Sequence, residues 1–456
     1  MNIRTLIVGL GIGSLVAFQS CREDFDFDPI SSDLRFSHDT ISVDTVYNFS
    51  RSETYVLKIY NPEDKDLVIP RIALAKGEQS YFNINVDGQS GTTFTNVPIR
   101  KNDSLFVFVE IDAKEAPMNP FYDDEILVES TQREQHVKLI SWIEKAQIHS
   151  ANENISTAQW DANEAHVIEG NLTVSNRLDI AAGTKVYLKP NASLTIDQNA
   201  QLNVNGTLAN VVKFRSSRHD KKYDSIPNQW KQIELKANSR STINYAKIIG
   251  GDTGLKVNNA ELDIRNSFIV NHQSYGILAD NAKITGHNVI LNNANMASFA
   301  VENGGEYAFY HSTFANYFSM VGTAGPAYSL YLSNYTTENS NALRQATFGN
   351  CIFYNQRTPN AVVFYRREGV AFNYSFDTNL FKNVNTAELN VLTAVGFTNS
   401  IVGDPLFVNP LYTANKLNVK ENSPALNAGK QNIAQQYPTD YNGIPRGNNP
   451  TLGAFQ

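Results

Sequence analysis

The chain has 456 residues, room for two or three domains, and its 38 Lys and Arg against 45 Asp and Glu leave a formal net charge of −7. No block of Lys and Arg interrupts that acidic balance, so nucleic acid is excluded as an expected partner. Hydrophobic content of 42% with 25 Phe, 21 Tyr and 4 Met points to a β-rich globular chain, and only 2 Cys exclude a small disulfide-stapled module.

Residues 1–20 read as an export signal. Arg4 is followed by an apolar run from Leu6 to Phe18 that is too short to cross the ~30 Å of a bilayer's hydrocarbon. The run ends at Gln19-Ser20-Cys21, and an acidic tether over residues 21–33 carries Glu23, Asp24, Asp26 and Asp28. This pattern resembles the signal of Bacteroidetes outer-membrane lipoproteins. The resemblance implies acylation of Cys21, outer-membrane lipid as a partner, and a lipid-anchored, surface-exposed location. Several acyl chains hold a protein far more firmly than one. With Cys21 taken, Cys351 is expected to be a buried free thiol.

Residues 34–146 alternate in strand-sized runs ended by turn residues. Tyr55–Tyr60 stops at Asn61-Pro62, Phe82–Val86 stops at Asp87-Gly88, and Leu105–Ile111 is a near-continuous apolar run suited to a central strand. About seven strands in such a length predict an immunoglobulin-like β-sandwich. Ser42–Val46, Lys58–Asn61, Phe82–Gly88 and Asp103–Glu110 resemble the N-terminal Ig-like domain of Bacteroidetes surface lipoproteins, which implies a spacer.

From residue 147 to 456 the strands shorten and a repeat emerges. Leu255, Ile277 and Phe299 are spaced by 22 residues, and Ile248, Ile269 and Ile290 by 21. Asn271, Asn292, Asn316, Asn355 and Asn383 form a third set, with larger gaps read as inserted loops. A coil of that length with three short strands predicts stacking ~4.8 Å per rung around an apolar core, with Asn ladders at the turns. Trp160–Gly206, Val212–Ser217 and Gln229–Tyr245 resemble secreted right-handed parallel β-helix proteins, as do the terminal motifs Asp404–Phe407, Ser423–Gly429, Asp440–Gly443 and Leu452–Phe455. Asn427 and Asn442 stand where that pattern carries Asp, which argues against cation binding there. The expected fold class is therefore all-β: an N-terminal Ig-like β-sandwich followed by a right-handed parallel β-helix with a C-terminal cap segment.

Hydrolysis of a glycosidic bond needs two carboxylates on one face. Among the coil acids Asp252, Glu261, Asp263, Asp280, Glu302, Glu306 and Glu338, none is expected beside another in one column, and no Ca²⁺ trio and no Arg-x-Lys motif of the pectin-hydrolase kind occurs. No catalytic residue, metal or cofactor is assigned. Counting back from the column residues places His287 and His311 in one polar column with Asn266 and Asn350, a turn ladder or a proton-active pair. Aromatic side chains pack on sugar C–H faces. Tyr223 and Trp230, within the charged loop 215–231, and Tyr328, Tyr331 and Tyr335, within the insertion 317–341, are therefore the candidate ligand contacts.

The leading expectation is a non-catalytic, glycan-binding or adhesin-like surface lipoprotein whose partner is a polysaccharide or an envelope protein. The alternative is a β-helix polysaccharide lyase or glycoside hydrolase. A flat face with scattered Tyr favours the first; a carboxylate pair or a Lys/Arg/Tyr-lined groove favours the second.

Overall fold

The computed structural model describes residues 27–30, 32–131, 133–218, 221–320, 325–382 and 395–456. The export signal, Cys21, most of the acidic tether, His219, Asp220 and Asn383 lie outside the described residues. The chain divides into two units, one ending at Glu144 and one running from Lys145 to Gln456. Among the described residues no helix is long and apolar enough to cross a membrane.

The first unit is two sheets packed face to face. Ser104–Ala113 shows the reason in its alternation: Leu105, Val107, Val109 and Ile111 are buried, whereas Phe106 and Phe108 face outward. It pairs antiparallel with Tyr55–Tyr60 and Phe82–Val86 in one sheet. Leu67–Leu74, Phe121–Glu129 and Glu134–Glu144 form the middle of the other. Ile59, Ile69, Phe82, Val107, Ile126 and Leu139 from both sheets fill the core.

The second unit is one continuous parallel set of 24 strands in which each strand pairs with one lying about a rung further along the chain. The pairings sort into three rows. The first runs through Ala146–His149, Ala165–Ile168, Lys185–Leu188, Val212–Ser216 and Ala246–Ile249. The second includes Ser193–Ile196, Gln232–Leu235, Thr253–Asn258, Tyr328–Ser333 and Val362–Tyr365. The third includes Gln201–Asn205, Arg240–Asn244, Leu343–Gly349 and Ser375–Asp377. Between the rows lies an apolar axis that becomes aromatic toward the C-terminus, where Phe314 and Phe353 stack at 4.9 Å and Phe348 and Phe376 at 4.9 Å.

The expected pairing of an Ig-like β-sandwich with a right-handed parallel β-helix is corrected in both units. An immunoglobulin domain is built from antiparallel sheets. Here Asp28–Pro29 pairs parallel with Leu67–Leu74, and Thr40–Ser42 and Val46–Tyr47 pair parallel with Glu134–Glu144. After Leu67–Leu74 the chain also crosses to the opposite sheet for Phe82–Val86 and Gln89–Gly91, then returns as Thr93–Ile99 to pair with Leu67–Leu74. In the second unit the coils over 261–310 are not three short strands separated by turns. Glu261–His272, Tyr275–Ala294 and Ala297–Tyr310 run for 12, 20 and 14 residues through the predicted turns. From Phe407 the chain leaves the parallel set, forms the antiparallel pair Phe407–Asn409 with Lys416–Val419 and the short helix Gln431–Ala434, and folds back over the first row.

That fold-back explains two register corrections. Ile269 pairs with Leu291, not Ile290. Leu291 enters the axial core, while Ile290 points outward into a second apolar layer with Phe407, Leu417, Tyr441 and Phe455. A one-residue slip exchanges the two faces of a strand, and both faces are apolar here because both are covered. Likewise Asn271 donates its neighbour role to Asn293, whose Nδ2 reaches Asn271 Oδ1 at 3.1 Å, so Asn292 stands one residue outside that column. Asn recurs because these corners need a left-handed backbone: φ is 45° at Asn266, 64° at Asn271, 52° at Asn288 and 58° at Asn293.

Candidate functional site

The second row presents an open outer face, and two of the expected contact residues, Tyr328 and Tyr331, lie on it. Successive rungs carry Tyr275, then Ala297 and Ala300, then Tyr328 and Tyr331, then Tyr365. Tyr331 lies over Ala300, which it leaves 1% exposed. Tyr331 stacks on Tyr365 with ring centroids 5.1 Å apart, and Tyr365 remains 43% exposed. Tyr335 leaves the row beyond Ser333 and lies beneath the Arg367 guanidinium at 4.9 Å. Burial, then the neighbouring Tyr365, raise the Tyr328 phenol, so Tyr328, Tyr331 and Tyr365 form one connected shelf.

Beside the shelf the register breaks. Ala279 pairs with Val301, but Asp280 pairs with Asn303, so Glu302 is the extra residue of a β-bulge. A bulge re-aims a side chain out of the regular alternation. Glu302 is thereby directed to the half-buried margin of the tyrosine shelf. Burial raises its carboxyl above the ordinary range, the Asp280 charge raises it further, and Lys256 partly offsets both. Burial, followed by Glu302, also pushes the Tyr275 phenol up to about 12. The face therefore offers a carboxyl biased toward its protonated form, a second carboxylate on the adjoining rung and a set of aromatic rings.

No acid is expected beside another in one column, and the register sets Asp280 opposite Asn303; the bulge is what brings Glu302 near it. Asp280 and Glu302 are 22 residues apart, the same spacing as Leu255, Ile277 and Phe299, but the register shift after Ala279 takes Glu302 out of the column of Asp280. Tyr365 and Glu302 are the residues of this face that sequence reasoning passed over; Tyr365 falls outside the insertion that drew attention, and the bulge is invisible without the register.

The other expected residues are not brought to this face. Trp230 is 1% exposed, donates its indole N–H to the Ile249 carbonyl at 2.8 Å, and lies against Gly251, where a Cβ would stand 3.0 Å from the ring. It is a core residue and presents no face to a ligand. Tyr223 sits in the turn Lys221–Ser225 with Arg218 at 4.7 Å and Lys222 at 5.0 Å over its ring. His287 and His311 do not share a column. His287 aligns with Arg265 and Tyr310, whereas His311 is a corner residue with φ 45° whose Nε2 meets Asn350 Nδ2 at 2.9 Å. Burial lowers both imidazoles, His287 to about 4. Cys351 is a buried free thiol that burial pushes up to about 12.

His287 does line a groove on the third row. A cavity of about 440 Å³ bounded by Arg240, Glu261 and Lys283 shares Asp263 and Thr285 with one of about 330 Å³ bounded by His287, Tyr310 and Tyr437. Its charges are consumed internally: Arg265 binds Asp263 with both nitrogens, and Tyr437 packs on Tyr310 at 5.0 Å and on His287 at 4.8 Å. Among the described residues no cluster of three or more His, Cys, Asp or Glu has metal-holding geometry.

No family model matches the chain, and no curated protein matches it. Two solved structures are similar at low identity. One is a family 123 glycoside hydrolase from Clostridium perfringens, described for glycolipid glycan hydrolysis, at 8% identity and a TM-score of 0.20. The match covers 28% of this chain and 30% of that one, so this chain spans under a third of the hydrolase. The other is XylC in complex with xylose, at 10% identity and a TM-score of 0.31 over 94% of this chain and 90% of that one. Superpositions this loose carry no argument about fold or chemistry.

Proposed function

We propose that this chain engages an extracellular carbohydrate on the outer face of the second row, and that Cys21 anchors it by acylation to an outer-membrane surface. The observation that carries the reading is the shelf of Tyr328, Tyr331 and Tyr365, with a 5.1 Å ring stack left open to solvent at Tyr365. Aromatic faces pack on sugar C–H surfaces, and the phenolic hydroxyls supply the hydrogen bonds that orient the ring. The Arg367 guanidinium over Tyr335 extends the same surface with a charged donor.

A second reading, hydrolysis, is favoured by Glu302 and Asp280. Glycoside hydrolysis pairs a protonated carboxyl that donates to the leaving oxygen with a second carboxylate that activates water or attacks the sugar. The raised Glu302 carboxyl, with Asp280 beside it, is what supports this reading. In this reading Glu302, the more buried and raised carboxyl, is the proton donor and Asp280 the second carboxylate.

The test is a glycan array on the purified protein, followed by reducing-end and 232 nm absorbance assays on each bound polysaccharide. Tyr331→Ala is expected to remove binding, and an array signal indifferent to Tyr331→Ala would sink the assignment of this face. New reducing ends that vanish in Glu302→Gln with binding retained establish the hydrolytic reading. Binding without turnover leaves carbohydrate capture as the function.

A further inference from the structure

The third row carries a trough that the tyrosine face does not use. Alternate side chains of Arg240–Asn244 and Glu261–His272 face outward, and the parallel register sets them in columns from rung to rung. Arg240, Glu261 and Lys283 follow one another in the first column, and Thr242, Asp263 and Thr285 in the second. Arg265, His287 and Tyr310 follow in the third. Short side chains between two lines of long ones make a floor between walls. The cavities of about 440 and 330 Å³ are two stretches of this trough and meet at Asp263 and Thr285. Their volumes are in the range of small-molecule sites.

The charges along the trough answer one another. Arg240 lies 3.9 Å from Glu261, Lys283 stands in register between Glu261 and Glu306, and Asp263 takes both bonds of Arg265. What is left unmatched is uncharged. Among the described residues the Thr285, Tyr310 and Tyr437 hydroxyls and both His287 ring nitrogens make no hydrogen bond, and all four residues line the smaller cavity. Burial, then the Arg265 charge, lower the His287 imidazole to about 4, so at neutral pH it carries one donor and one acceptor nitrogen. Burial also raises both phenols, Tyr437 to about 12, which keeps them protonated. The aromatic faces are spent on one another, with Tyr437 4.8 Å from His287 and 5.0 Å from Tyr310. The trough therefore offers hydrogen bonds without free charge and without an open ring face.

We infer that the trough is a second, weaker saccharide site that takes an uncharged sugar chain, with one ring hydrogen-bonded among Thr285, His287, Tyr310 and Tyr437 and further rings along Asp263 and Thr242. A ligand that carries hydroxyls on every side and no charge suits a site whose ions are paired and whose unmatched groups both donate and accept. Each rung advances ~4.8 Å, close to the advance of one ring in an extended sugar chain, so the floor meets successive rings at like positions. Four hydrogen-bonding groups with no stacked ring correspond to a Kd of about 1 mM. A washed glycan array does not retain a ligand held that weakly, so the array reads the tyrosine face and leaves the trough silent. The inference is independent of that face, which lies on another row.

Saturation-transfer NMR titration, which reads weak binding, decides the matter in the full-length Tyr331→Ala protein, where the tyrosine face is removed. The probes are xylohexaose, cellohexaose and mannohexaose as uncharged chains, xylobiose as a short one and hexagalacturonate as a charged one. At least one neutral hexasaccharide is expected to bind with an affinity indifferent to salt, more tightly than hexagalacturonate, and xylobiose more weakly than xylohexaose. Adding Thr285→Val, which removes one exposed hydroxyl at nearly constant shape, is expected to weaken binding about threefold to tenfold. His287→Phe, which keeps a ring and removes both nitrogens, is expected to weaken it about tenfold or more. A thermal midpoint for each variant separates lost binding from lost folding. No saturable signal from any neutral hexasaccharide, hexagalacturonate binding as tightly as the neutral chains, or an unchanged affinity in folded Thr285→Val and His287→Phe proteins would each overturn the proposal.

Discussion

The first and second rows of the stack are built on the same rungs, yet their outer faces have opposite fates. On the first row Phe268, Ile290, Ala315 and Ile352 point outward into a second apolar layer made by Phe407, Leu417, Tyr441 and Phe455. On the second row the outward positions carry Tyr275, Glu302, Tyr331 and Tyr365, and among the described residues no such layer covers them. A covered strand is buried on both sides and reads as a continuous apolar run, as in Val289-Ile290-Leu291, whereas an open strand alternates. The lesson is that outward residue type follows the cover, so the uncovered face is where ligand chemistry has room.

The most direct way to break this contrast is to unfasten the cover. Arg446 is 6% exposed and ties the fold-back to the corner column: its Nη2 donates to Asn288 Oδ1 at 2.9 Å and to the Gly453 carbonyl at 3.2 Å. Asn288 in turn donates to Asn266, and Asn266 to Asn244, each at 2.9 Å. Arg446→Ala removes the last donor of this ladder and leaves buried oxygens without partners, a cost of about 2–4 kcal/mol. Urea unfolding is expected to show that loss, and hydrogen exchange is expected to accelerate over 407–456 before it accelerates over the second row. A uniform acceleration of both would mean that the cover and the stack are one cooperative unit.

Acid is the next lever, and the buried histidines of the second unit are where it acts. His38 and His136 of the first unit are exposed, while His149, His166, His272, His287 and His311 of the second are half-buried or buried. His149 Nε2 meets His166 Nδ1 at 3.1 Å, and Trp160 stacks on His166 at 4.1 Å. Burial, then the His149 charge, lower His166 from its ordinary 6.5 to about 3, and burial lowers His149. Folded values below the unfolded one mean the unfolded chain takes up protons first, so this stability is whole above pH ~6.5 and declines as pH falls toward the folded values. A loss on the order of 2 kcal/mol by pH 4 is expected in the second unit's unfolding free energy. His166→Gln is expected to flatten that dependence; an unaltered slope in the variant would assign the acid sensitivity to other groups.

The repeat made much of the stack legible and the faces much less so. Leu255, Ile277 and Phe299 do share one column, because they lie on the open row where alternation marks the inward residue. Ile290 and Asn292 were each set one residue out of register, because on the covered row and at the Asn corners both neighbours are plausible on residue type alone. The parallel edges of the first unit, the bulge at Glu302 and the fold-back after Phe407 depend on pairings between distant segments and leave no local periodicity. Of the five expected ligand contacts, Tyr328, Tyr331 and Tyr335 reach one region, whereas Trp230 is spent on packing because a large ring beside Gly251 fills the core.

The smallest expected effect is the one that bears most on function. Tyr331→Ala removes a half-buried ring from the uncovered face, where the axial core beneath it, Leu330 and Leu332, is already sealed at full burial. Only the stack with Tyr365 and the contact over Ala300 are lost. An aromatic pair of this kind contributes about 0.5–1.5 kcal/mol, and a surface site away from the core little more. A folding loss within ~1 kcal/mol, beside the complete loss of array binding expected from the same substitution, would separate the shelf from the scaffold. A folding loss as large as that of Arg446→Ala would instead make Tyr331 part of the stack's own packing, and would leave the second row as a face that needs its tyrosines to stand rather than to bind.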